Sequence, residues 1–118
     1  MALLLCLAIS PAQAQPASCI DTASDRQSFN ECAQREILPL EARVVQLVNG
    51  LRSRYRNDPG RLAPLEASED AWNAYRNNHC RFESLSRTGA AEVETQRVFA
   101  ACTRRALELR IKELEGLR

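Results

Sequence analysis

Apolar residues recur along this chain at steps of three and four, with polar residues between them, which is the spacing of one helical face. Phe29, Ala33, Ile37, Leu40, Val44, Leu47, Val48, Leu51 and Tyr55 form the longest such stripe. It predicts a helix over residues 24–57 after a polar lead at 15–21. Ser24-Asp25-Arg26-Gln27 fits an S-x-x-Q capping box at its start. Pro39 lies inside the stripe and predicts a kink or a split, because proline cannot donate to the helical ladder. Asn57-Asp58-Pro59-Gly60 reads as a turn. A second helix is predicted from 61 or 64 to 87, with Pro64 in its first turn and Leu65, Trp72, Tyr75, His79 and Phe82 on its core face. Thr88-Gly89 ends it, glycine being suited to the position just past a helix. The third helix, 91–117, places Glu92 and Glu94 first and Arg110, Lys112 and Arg118 last, an order that suits the helix dipole. Phe99, Cys102, Ala106 and Leu109, joined by Leu107, Ile111 and Leu114, form its apolar face. No strand alternation or repeat interrupts this pattern. Short connections make successive helices antiparallel, so the expected fold is all-α, an up-down-up three-helix bundle with its first helix kinked or split at Pro39.

The ends and the cysteines change this picture. Met1 to Ile9 is an apolar run, followed by Ser10-Pro11 and Ala12-Gln13-Ala14. The order is that of a secretory leader with a small-x-small cleavage site, so residues 1–14 read as a signal peptide and 15–118 as a single helical domain. No Lys or Arg precedes the run. It is about half of the roughly 20 residues needed to span a bilayer, so no stable membrane anchor is expected. Bulky Leu5 before Cys6 argues against a lipoprotein site. The reading is a periplasmic or secreted protein. Cleavage leaves Cys19, Cys32, Cys80 and Cys102, an even set that predicts two disulfides. None lie as close as the paired ligands of a zinc site. Folding the second helix onto the third about Gly89 brings Cys80 near Cys102 and leaves Cys19 to Cys32. Pairing Cys19 with Cys80 and Cys32 with Cys102 stays open if a kink at Pro39 lowers the first helix.

Charge narrows the function. The formal net charge is +1, from 16 basic and 15 acidic residues, and Lys112 is the only lysine. The two signs are interleaved, which excludes a nucleic-acid-binding stripe. His79 is the only histidine, and its neighbour Cys80 projects about 100° away on a helix, so the two form no catalytic pair. Glu66, Glu69 and Asp70 read as solvated carboxylates. With no Ser-His-Asp set and no phosphate-cradling glycine loop, no catalytic residue, metal or cofactor is expected, and the chain does not read as an enzyme. Trp72, Tyr75 and Arg76 share one helical face. Either the rings fill the core while Arg76 stacks on a ring or pairs with Glu69, or the three form a binding hot spot. The core reading is preferred.

The segment Glu69-Asp70-Ala71-Trp72-Asn73-Ala74-Tyr75-Arg76-Asn77-Asn78-His79-Cys80 is the most distinctive in the chain. Its Trp, the Tyr-Arg three and four residues on, and the Cys five after the Tyr resemble the lysozyme inhibitor LprI N-terminal-like domains. Asn30-Glu31-Cys32-Ala33 is similar to that family's first-helix cysteine motif, and Cys102 with Arg110 and Leu114 to its last helix. Glu69 stands where the family usually has Gln, and the family's Leu-Asn-x-x-Tyr signature is blurred, Asn49 and Tyr55 being out of spacing. The resemblance runs from about residue 19 to the end. It implies a small, cysteine-bridged helical module of the bacterial envelope with a protein partner, a lysozyme in at least one member. Inhibition would occlude the enzyme's substrate groove. The residues that could bind are Trp72, Tyr75, Arg76, Arg110 and a tip, either Arg87 with Gly89 or the Asp58-Pro59-Gly60 turn with Arg56 and Arg61. The alternative is a structural or assembly protein of the periplasm with no lysozyme activity.

Overall fold

The structure, a computed structural model, describes residues 18–88 and 92–117. The expected leader, its cleavage site, Cys6 and Gly89 lie outside these residues. The described chain is all-helical: α1 (Cys19–Thr22), α2 (Arg26–Glu36), α3 (Leu38–Arg54), α4 (Pro59–Thr88) and α5 (Glu92–Glu115). Two disulfides, Cys19–Cys32 and Cys80–Cys102, join Cα atoms 5.7 and 5.5 Å apart. There are more helical segments than the three of the simple bundle expected from periodicity.

The extra segments have local causes. The expected polar lead contains α1, a single turn that buries Ile20 and is capped by Ser18, whose Oγ accepts from the Ile20 N–H at 3.2 Å. The cap of α2 falls one residue later than predicted. Asp25 accepts the Ser28 N–H at 2.7 Å, and the Ser28 hydroxyl accepts the Asp25 N–H at 3.2 Å. Ser28 thus plays the part assigned to Gln27. The α2–α3 rod splits at Ile37, which puts Pro39 in the first turn of α3, where a missing N–H costs no intrahelical bond.

α4 begins earlier than expected. Pro59 and Gly60 belong to its first turn, and Asp58 caps it by accepting the Arg61 N–H at 3.1 Å. Pro64 therefore stands inside the helix, not in its first turn. At 30 residues α4 is about 45 Å long.

Side-chain pairs give the layout. Glu69–Arg110 and Cys80–Cys102 run α4 antiparallel to α5, while Arg52–Glu66 and Arg76–Glu41 run α3 antiparallel to α4. Arg26–Glu92 and Arg104–Glu36 lay α2 along the first half of α5. The core gathers Ile20, Cys32, Ile37, Val44, Val48, Leu51, Leu107 and Leu114, with Leu65 and Trp72 as the α4 contribution.

Leu65 and Trp72 of α4 pack against the core as predicted, but the most buried residues of the helix are not the predicted ones. They are Glu69, Cys80 and Ser84, while Tyr75 and Phe82 are 61% and 70% exposed and His79 is exposed. On α5 the predicted Cys102, Leu107 and Leu114 are buried, joined by Thr103 and Arg110, while Phe99 and Leu109 face outward. Relative to the sequence expectation the buried face of α4 is turned by roughly one residue, ~100°.

Candidate functional site

The turn of α4 divides the distinctive Trp72–Cys80 segment into an anchored half and a presented half. In the anchored half, Trp72 is half-buried between two guanidinium groups. Arg76 lies 5.1 Å and Arg110 5.6 Å from its ring centroid, within cation–π range. Arg110 is held by Glu69, its Nε donating to Oε1 at 3.2 Å with a second bond from NH2. It also reaches Ser68 Oγ at 3.4 Å and Glu113 at 3.2 Å. Glu69 was expected to be solvated; its side chain is only 10% exposed and that of Arg110 6%. Arg76 does stack on a ring, but its carboxylate is Glu41 of α3, at 3.8 Å, and not Glu69. Trp72, Arg76 and Arg110 thus tie α3, α4 and α5 together.

The presented half points outward. Tyr75 stacks on His79 with ring centroids 5.2 Å apart and planes 13° from parallel. Phe82, one turn further along α4, continues the stripe. Beside it stands Glu83, whose side chain is 12% exposed and meets three basic groups. These are Arg105 of α5 at 2.8 Å, Arg87 at 3.5 Å and His79 Nε2 at 3.6 Å. Two permanent positive charges around one carboxylate leave a local excess of +1. Trp72, Tyr75, His79, Arg105 and Leu109 line a shallow cleft of about 310 Å³ between α4 and α5. Exposed Tyr, Phe and Leu with flanking Arg make a face fit to bury against another protein.

Neither proposed tip is simply free. Arg61 lies 5.2 Å over the Tyr55 ring and bonds Asp58 at 2.8 Å, so its own charge is already met within the turn. Arg87 is looser, 69% exposed and near the end of α4. Glu83 and Arg105 went unnoticed in the sequence. Glu83 could have been found, since His79 and Arg87 stand four residues to either side. Arg105 could not, because it arrives from another helix.

His79, Glu83 and Cys102 bring ligand-type atoms within 4.8 Å of one another, as do Cys19, Cys32 and Glu36. Every cysteine in these groups is in a disulfide, and the remaining ligands are too few for a zinc site. No described helix is long and apolar enough to cross a membrane.

At the α1 end, Glu36 accepts from Ser18 Oγ at 2.6 Å, the Cys19 N–H at 2.9 Å and Arg104 at 3.2 Å. Burial pushes its pKa up, but these donors outweigh burial and hold it below the usual value of 4.5. This arrangement serves the fold, clamping the Cys19–Cys32 loop to α5.

Against models of protein families, residues 19–114 match the one described as lysozyme inhibitor LprI. No curated protein and no solved structure matches the chain.

Proposed function

The chain belongs to the LprI lysozyme inhibitor family, and from that premise we propose that it is an exported, non-enzymatic protein-binding module that blocks a lysozyme. The observation that carries the reading beyond membership is the exposed Tyr75–His79–Phe82 stripe with Arg87 and Arg105 beside it. Lysozyme acts through two carboxyl groups that flank the scissile glycosidic bond. A guanidinium brought there pairs with them and keeps substrate out. Arg87 suits the part, since it is exposed and only loosely held by Glu83. Tyr75 and Phe82 supply apolar area, and the Glu69–Arg110–Trp72 cluster fixes the helix that carries them. Export is supported by the two disulfides, which persist in oxidising compartments, and by the leader-like pattern at residues 1–14.

A lysozyme turnover assay tests this. The protein is expected to slow the enzyme at stoichiometric amounts. Tyr75→Ala with Phe82→Ala, or Arg87→Glu, should weaken inhibition by about 30-fold or more, the equivalent of about 2 kcal/mol, at an unchanged melting temperature. Uninhibited turnover at saturating protein would overturn the proposal. The near-neutral charge favours the second reading, an envelope assembly protein without lysozyme activity, because animal lysozymes are commonly basic and no long-range attraction draws the two together. Capture of an envelope protein through the same face, with no effect on lysozyme, is its signature.

A further inference from the structure

We propose that the groove between α2, α4 and α5 is a binding site for a free single-chain anionic amphiphile of the medium-chain fatty acid type. This groove is separate from the Tyr75–His79–Phe82 face and independent of the lysozyme reading. It exists because α2 leans on α5 while the Cys80–Cys102 bridge fixes α4 on the other flank of α5. The groove is open to solvent and has a volume of about 470 Å³. That is within the range of small-molecule pockets.

Its walls are mostly apolar, with the polar residues Asn30, Ser84, Thr95 and Gln96 among them. Phe29 and Ala33 come from α2, Leu85 from α4, and Phe99 and Ala100 from α5. Leu85 and Phe99 are among the large apolar side chains left exposed. Charge decides the head group. The only charged residues among those lining the groove are Arg26 and Arg81, and no carboxylate lines it. Arg26 bonds Glu92 at 3.1 Å, but Arg81 has no ion-pair partner among the described residues. An apolar trough with an unneutralised guanidinium at its rim complements an alkyl chain that ends in a carboxylate, and it disfavours a cationic or zwitterionic guest.

Titration of the purified, oxidised protein with dodecanoate below its micelle concentration, read by calorimetry, tests the site. One saturable site is expected. Across octanoate, decanoate and dodecanoate the dissociation constant should tighten about fourfold per methylene. Arg81→Glu should weaken dodecanoate on the order of tenfold, and Leu85→Asp should remove measurable binding. Both positions are exposed, so circular dichroism should show the fold retained. Val45→Ser, at an exposed apolar residue of α3, should leave binding unchanged. Linear, unsaturable uptake would overturn the proposal, as would a Leu85→Asp curve identical to wild type. Sedimentation with phosphatidylglycerol vesicles without binding of monomeric dodecanoate would also overturn it, by pointing to a lipid surface.

Discussion

Glu69 and Arg110 stand 41 residues apart in sequence and meet in the interior, and neither is explicable alone. A charge left unpaired there is expensive, whereas the pair against apolar residues of similar size is close to neutral. Glu69→Ala and Arg110→Ala should each lower the unfolding free energy by about 3–5 kcal/mol. Glu69→Leu with Arg110→Met should recover most of that loss in urea unfolding. A single variant within about 0.5 kcal/mol of wild type would show the pair to be solvated. Glu36 gives a different signature. Its folded pKa is lowered, so its contribution is fully present above the usual value of 4.5 and is lost as pH falls through the folded value. Glu36→Gln should therefore melt lower at neutral pH, and the gap to wild type should close as the solution is acidified below about pH 4. A gap that widens in acid would contradict this account. That Trp72, Tyr75 and Arg76 share one helical region was legible from their spacing alone. The burial of Glu69 was not, because carboxylates are mostly exposed and its partner lies on another helix.

At the level of elements, both internal prolines were visible in the sequence, yet the chain uses them differently. Pro39 ends up in the first turn of α3 and opens it; Pro64 sits in the second turn of α4 and leaves the Gly60 carbonyl without its i+4 donor. Pro64→Ala should restore that bond and raise the melting temperature, with a gain of about 1 kcal/mol. Gain of helix by circular dichroism together with stabilisation is the expected result, and destabilisation would mean that the ring packs usefully. The stripe of α4 was read one residue out of phase. Tyr75, His79 and Phe82 look like core by hydrophobicity, but Cys80 must face Cys102 and Glu69 must face Arg110. Those two cross-helix ties set the rotation, and the aromatic stripe turns outward as a consequence.

For the molecule as a whole, a net charge of +1 spread over interleaved signs produces no strong far field. Association with a lysozyme should then proceed at an unsteered rate of about 10⁵–10⁶ M⁻¹s⁻¹ and change by less than about threefold between 50 and 500 mM salt. Stopped-flow mixing measures this directly. A rate that collapses with salt would reveal a concentrated patch that the surface pairs around Glu83 do not suggest. The disulfides fit a chain of this size: each closes a short loop and adds about 3 kcal/mol by the loop-entropy model. They fix α1 on α2 and α4 on α5.

By itself the sequence determined the helical class, the break before Pro39, the turn before α4 and the two disulfides. Each is a local property: hydrophobic period, missing N–H groups, capping side chains and an even count of cysteines. Tertiary structure decided which face of α4 is inner and which outer. A helix with apolar residues on more than one face has several rotations of similar hydrophobic gain. The choice among them is made by bonds that are specific in direction, here the Cys80–Cys102 bridge and the Glu69–Arg110 pair. Tertiary packing alone brings Arg105 to the His79–Glu83–Arg87 run of α4 and opens the groove beside Arg81. In both places a group that matters arrives from another helix, and no spacing rule along α4 supplies it.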